Sequence, residues 1–294
     1  MQNGQTTVLD EISLAVGAGE TVGVLGESGS GKTVLIESLV DLVEPPGAVT
    51  AGEIWVHAPA LADRLRDERP ASVDGDLVDL RQLSDRDQRR LRRSSIRIII
   101  ESAEQAFNPV LTIGDHFDEA LAVDRPSGAR PAWLEPPQRS RIDRLLGVLP
   151  GRTSPTQERR QRAIRLLERG GIPDPETHLE RRSDQLPPEI RRRLHILEAI
   201  ATGPAVLLAD EPTQGLSEME RRDLLALLDE FSQETDMAIL LCSTDPAVIA
   251  HFCDRVAILY GGTLVEEGPV NSIFTDPSHP STRTLLANGK LMDS

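Results

Sequence analysis

The chain has 294 residues, 39% hydrophobic and 27% charged, and its 32 basic against 47 acidic side chains give a formal net charge of −15. Such a surface repels nucleic acid and anionic lipid headgroups, so direct binding to either is not expected, and the length suits one large domain or a domain with a sizeable insertion. No window approaches the roughly eighteen consecutive apolar residues of a membrane-spanning helix, and no basic start followed by an apolar run marks a leader, so the default location is cytoplasmic.

In chain order, "ETVGVL" (20–25) reads as a short buried strand. A Gly/Ser-rich turn follows, then "KTVLIESLVDLV", apolar at helical spacing. "GEIWVH" (52–57) is a plausible strand. "SDRDQRRLRRS" (84–94) is a polar helix with Ser84 as its cap, acids in the first turn and arginines later, as the helix dipole prefers. "IRIII" (96–100) is β-branched and strand-like, and "LTIGDHFDEALAV" (111–123) is a short amphipathic helix. Residues 124–160, rich in Pro, Gly, Ser and Arg, predict a surface excursion with one short helix near "RIDRLL". "TQERRQRAIRLLERGGI" is a helix ending at Gly170–Gly171, and "IRRRLHILEAIATG" one ending at Gly203.

Alternation then sets in: "AVLLAD" strand, "EMERRDLLALLDEFSQE" helix, "MAILLC" strand, "PAVIAHFC" helix, "RVAILY" strand, with "GGTLVEEGP" a turn and short strand. Together these predict an α/β fold whose core is interrupted by a mainly helical stretch at roughly 84–190.

The chemistry concentrates in two strings. "GESGSGKT" fits G-x-x-x-x-G-K-[ST]: Gly26, Glu27, Ser28, Gly29, Ser30 and Gly31 form the loop, and Lys32 and Thr33 open the helix. Glycines let successive N–H groups point at phosphate oxygens, and the helix adds the positive end of its dipole. Lys32 would reach the β- and γ-phosphates of a nucleotide and the Thr33 hydroxyl would ligate Mg²⁺. Apart from Lys290, Lys32 is the chain's one lysine. "AVLLADEP" ends an apolar strand in Asp210, a carboxylate for Mg²⁺, with Glu211 beside it to polarise an attacking water.

Other residues suggest little chemistry. Cys242 and Cys253 lack metal-ligand spacing and read as buried reduced thiols. His57, His116, His178, His195, His251 and His279 have no ligand-like spacing, and the arginines at 89–97 read as a solvated helix face.

On these motifs the chain resembles the ATP-binding subunits of ABC transporters, specifically those of bacterial dipeptide and oligopeptide importers, over nearly its whole length. "GESGSGKT" looks like their Walker A motif and "LLADEP" like their Walker B. "SDRDQRRLRRSSIRIIIESAEQAFNPVLTIGDHFDEAL", "DRVAILYGGTLVEEGP" and "DPSHPSTRTLLA" are similar to further landmarks, and the subunits linked to antimicrobial-peptide uptake look most alike. The resemblance implies a P-loop NTPase core with an inserted helical subdomain, a single ATP-binding domain over 1–294, and peripheral attachment at the cytoplasmic face of the membrane. It also implies ATP and Mg²⁺ as cofactors, a second ABC ATPase subunit, and membrane permease subunits.

Position by position the chain departs from that family. The signature, usually "LSGGQ", becomes Leu186, Pro187, Pro188, Glu189 and Ile190. Two prolines delete backbone donors and Glu189 puts negative charge where an anion binds, although the same residues make a stable helix start. The switch histidine becomes Thr244, the Q-loop glutamine becomes Glu101 (still a possible Mg²⁺ ligand), and the D-loop acid becomes Ser217. The opening "MQNGQTTVLDEISL" lacks the strand whose aromatic stacks on adenine. The chain ends without the Cys-rich tail of many relatives, so no iron–sulfur cluster is expected. These departures predict a heterodimer of unequal ATP sites and slow hydrolysis by the chain alone. The alternative is a non-catalytic nucleotide-binding subunit that regulates or scaffolds its partner.

Overall fold

The computed structural model describes residues 6–99, 107–123 and 154–292. The chain divides into two compact units, Met1–Glu101 with Ala205–Ser294, and Ser102–Pro204. The first unit begins with β1 (Thr21–Leu25), α1 (Lys32–Leu39), β2 (Trp55–His57), α2 (Pro59–Glu68), β3 (Val73–Asp74), β4 (Leu77–Asp79), α3 (Asp85–Ser94) and β5 (Ile96–Ile99). The second holds α4 (Ile113–Leu121), α5 (Pro155–Arg169), α6 (Pro175–Leu179) and α7 (Pro188–Ala201). The first resumes with β6 (Val206–Asp210), α8 (Glu218–Thr235), β7 (Ala238–Ser243), α9 (Pro246–Phe252), β8 (Arg255–Tyr260), β9 (Thr263–Pro269), α10 (Val270–Thr275) and α11 (Pro280–Met292).

In the first unit a six-stranded sheet runs in the order β5-β6-β7-β1-β8-β9, parallel except for the β8–β9 pair. Every residue of β1 and β7 is buried, as expected of central parallel strands covered on both faces. Register sets Asp210 beside Cys242, and Leu25 beside Ser243. The carboxyl ends of β1, β6 and β7 therefore meet at one edge, where ligands bind in open α/β sheets.

Beyond the single strand expected at 52–57, the structure forms a small antiparallel sheet, β2-β4-β3, with α2 packed on it. Leu61, Ala62 and Leu65 of α2 form its core with Val78, Leu83 and Leu91. α3 belongs here and not to the helical insertion. Ser84 caps it as expected, Arg64 pairs with Asp87, and Gln88 Nε2 donates to Leu80 O at 3.1 Å. These ties move the start of the insertion from the expected 84 to 102, and its end from 190 to 204, because α7 packs on α4 and α5.

The second unit is a helical cluster. α4 starts with a capping box, Thr112 and Asp115 exchanging side-chain and backbone hydrogen bonds. α5 ends at Gly170, where a Cβ would stand 2.4 Å from Leu197 of α7, so the glycine permits the close approach. Arg159 grips Asp118 with two hydrogen bonds, at 2.6 and 3.0 Å. The short helix expected near Arg141 lies outside the described residues.

Two C-terminal helices, α10 and α11, have no clear signal in the sequence and complete the first unit. Glu266 on β9 caps the approach to α11, accepting from the N–H groups of Ser278 (2.7 Å) and His279 (3.1 Å). Among the described residues no helix is long and apolar enough to cross a membrane.

Candidate phosphate and metal site

The loop after β1 is shaped by two glycines. Gly31 sits at φ 107, in the left-handed region that a side chain resists, and is the N-terminal cap of α1. Gly26 has no room for a Cβ, which would meet Leu259 O at 2.5 Å and Ser30 Oγ at 2.6 Å. Glu27, Ser28 and Gly29 are exposed. Ser30 Oγ is buried without a hydrogen-bond partner among the described residues. Val8 and Leu9, aliphatic residues, lie against this loop at Gly31, and Asp10 N–H bonds Gly262 O at 2.9 Å.

Lys32 is 6% exposed, yet its ammonium is held in the loop by Gly26 O (2.9 Å) and Glu27 O (3.0 Å). One residue on, Thr33 Oγ donates to Asp210 Oδ2 at 2.7 Å. The α1 start and the end of β6 thus bring a hydroxyl and a carboxylate together, although they are 177 residues apart in sequence.

Glu211 follows at φ 43, a left-handed backbone unusual for a side-chain-bearing residue and more so before Pro212. Its N–H bonds Cys242 O at 3.0 Å. Its carboxylate accepts from Ser243 Oγ at 3.1 Å and from Thr244, and Oε1 lies 3.8 Å from Lys32 Nζ. Burial raises the pKa of this carboxyl, and Lys32, Ser243 and Thr244 offset only part of the rise. A buried carboxylate of raised pKa is a better proton acceptor, which suits a general base.

The residues fit phosphate groups together with a divalent cation. The orphaned Ser30 hydroxyl, the left-handed glycines and the buried ammonium suit an anion, and Thr33 with Asp210 offers hard oxygens to a cation. Among the described residues no group of three or more His, Cys, Asp or Glu could hold a metal by itself. A cation here would therefore take most of its ligands from phosphate and water, the habit of Mg²⁺.

Of the remaining candidates among the described residues of the first unit, only Thr244 joins the site, through its hydrogen bonds to Glu211. Glu101 lies outside the described residues. Ser217 is exposed and caps α8 through a capping box with Glu220. Thr244 is exposed just beyond β7. In the second unit, Leu186 is buried, Pro187 is the N-terminal cap of α7, Pro188 is its first residue and Glu189 lies in its first turn. Ile190 follows, half-buried, and Arg191 N–H closes the turn on Pro187 O at 3.0 Å. The helix forms as the two prolines predict.

Both cysteines are free. Cys242 is buried beside Lys32 O and its thiol is pushed well up by desolvation, while burial pushes Cys253 up to about 12. Neither is a ready nucleophile. Ser243, which holds Glu211, carries no motif in the sequence; its one signal is its place beside the switch position.

Comparison with known proteins identifies the family and the fold. The ABC transporter family model matches residues 9–214. The glutathione import ATP-binding protein GsiA of Salmonella typhimurium is 32% identical over 284 residues, which are 96% of this chain but 39% of GsiA, so the chain spans about two-fifths of that relative. The dipeptide transport ATP-binding protein DppD of Escherichia coli is 32% identical over 95% of this chain and 71% of its own length. A putative peptide import ATP-binding protein of Brucella melitensis is 31% identical over 96% and 72%. Among solved structures, the dimeric bacterial ABC transporter cassette MJ0796 superposes with TM-score 0.65 at 22% identity, covering 92% of this chain and 94% of MJ0796. An ATP-binding subunit of an ABC transporter gives 0.62 at 20%, covering 98% and 95%. The fold is thus that of an ABC cassette.

Proposed function

The chain belongs to the ABC transporter family, and from that premise we propose that it is the MgATP-binding, energy-coupling subunit of a peptide importer. The observation that carries this reading is the meeting of Lys32, Thr33, Asp210 and Glu211 where β1 and β6 end. The substrate class comes from the relatives, whose names specify dipeptide transport and glutathione import.

In this reading the loop N–H groups of residues 26–31 and Lys32 bind the nucleotide phosphates, and Thr33 and Asp210 hold Mg²⁺, which neutralises phosphate charge when bound. Glu211 accepts the proton of the attacking water. A second ATPase subunit and membrane permease subunits complete the complex at the cytoplasmic face. The two ATPase subunits are unequal. Thr244 brings no imidazole to this chain's own site, and Leu186–Ile190 offers the partner's nucleotide two prolines and a carboxylate.

The test is an ATPase assay with and without co-purified partner subunits. Alone, the chain should bind MgATP and hydrolyse it very slowly; in the complex, Glu211→Gln should abolish turnover and keep binding. Brisk hydrolysis by the isolated chain would overturn the inequality, and unchanged turnover in Glu211→Gln would remove Glu211 from the role of base. Thr244 and the Pro187–Glu189 start also favour a second reading, a nucleotide-binding subunit that regulates its partner without hydrolysis. That reading predicts ATP-dependent association and no effect of Glu211→Gln on transport.

A further inference from the structure

Behind Glu211 stands a chain of contacts confined to the first unit. Ser243, 1% exposed, donates its hydroxyl proton to Glu211 Oε2 at 3.1 Å. Ser243 Oγ itself accepts the Asp245 N–H at 3.1 Å. That second bond occupies a lone pair, so the single proton of Ser243 is directed at the Glu211 carboxylate. Asp245 is itself held twice. Its Oδ1 accepts Ala247 N–H at 2.8 Å, capping α9, and its Oδ2 pairs with Arg221 of α8. Arg221 N–H in turn bonds Ser217 O at 2.9 Å, in the first turn of α8.

An ion pair exposed to this degree adds little to stability, and capping α9 needs only Oδ1. Neither role accounts for a buried serine aimed at a carboxylate just past the end of another strand. The left-handed backbone of Glu211 does call for such a device, because a strained conformation persists only where its surroundings over-determine it.

We propose that Ser243 is a positioning residue for Glu211, and that the Asp245–Arg221 pair ties it to the first turn of α8. The proposal rests on the reading of Glu211 as base. Its consequence is regulatory: a shift of α8 around Ser217–Arg221 is passed to the carboxylate, so turnover answers to whatever meets that turn.

In the complex purified with its partner subunits, Ser243→Ala should lower kcat about tenfold, the cost of one positioned hydrogen bond, with KM for ATP unchanged. Ser243→Thr, which keeps the hydroxyl, should recover most of it. Arg221→Met should lower kcat about fivefold, Arg221→Lys less, and Asp245→Asn, which keeps an oxygen to cap α9, should match Arg221→Met. The Ser243→Ala/Arg221→Met double variant should be no slower than Ser243→Ala, since both cut one chain of contacts.

A second readout needs no turnover: in the isolated chain, hydrogen exchange at the Glu211 amide should quicken in Arg221→Met while MgATP affinity holds. Additive losses, a rise in KM in place of a fall in kcat, or unaltered Glu211 exchange would overturn the proposal. Loss of turnover in Glu211→Gln with intact kcat in Ser243→Ala and Arg221→Met would overturn it alone. Unchanged turnover in Glu211→Gln would remove the base and the proposal together.

Discussion

Two helices of this chain begin in opposite ways. α1 starts from a left-handed glycine, with no acid in its first turn and a buried lysine as its first residue. α7 starts from two prolines, with Glu189 in its first turn. A helix N-terminus carries free N–H groups and partial positive charge, which can serve a ligand or the helix itself. In α1 the sequence leaves them open at some expense of local stability. In α7 prolines remove donors and a carboxylate meets the dipole, so the terminus stabilises itself. On our proposal the same secondary structure serves an anion in one unit and mainly its own stability in the other.

The hardest test of the open terminus is Lys32→Ala. Losing the one ammonium of the loop should weaken MgATP binding about 100-fold or more, measured by calorimetry on the isolated chain. Wild-type affinity would mean that the loop does not bind phosphate through Lys32. Gly26→Ala comes next. A methyl 2.5 Å from the Leu259 carbonyl must push backbone aside, costing roughly 2–3 kcal/mol of stability in denaturant unfolding, with binding lost as the loop distorts.

The closed terminus can be reopened. Pro187→Ser, Pro188→Gly and Glu189→Gly together should restore donors and remove the charge. Turnover of the complex should rise several-fold while α7 loses about 1 kcal/mol of stability from the added glycines. No gain in turnover would show that the segment does not limit its partner's site.

The smallest effect concerns α3, within the first unit. Burial raises the Asp87 carboxyl, but hydrogen bonds from Arg64 and Ser84 outweigh it and hold the pKa below the usual carboxylate value. The stability this provides is present above the unfolded pKa and lost as pH falls through the folded one. Asp87→Asn should cost about 1 kcal/mol near neutrality, discounted because Arg64 is partly exposed. The gap from wild type should close below about pH 4. A gap independent of pH would assign the cost to packing.

Much of the site was legible because it is local. Gly26–Thr33 is one continuous loop whose glycines, lysine and hydroxyl must be neighbours, and Asp210 and Glu211 announce themselves at the end of an apolar strand. The prolines at 187 and 188 likewise predict a helix start from their own geometry. What stayed hidden has no local signature. α2 is a short helix between two short strands, and α3 looks from its charges like part of the insertion until Arg64 and Leu80 claim it.

From sequence alone come the α/β alternation, the phosphate loop and the paired carboxylates, since periodicity and spacing are properties of neighbouring residues. Only the tertiary structure decided that Thr33 meets Asp210, that Ser243 aims its proton at Glu211, that Arg221 stands behind Asp245, and that Glu266 caps the approach to α11. Each of these joins residues distant along the chain through strand register and helix packing, which depend on the whole first unit folding around its sheet.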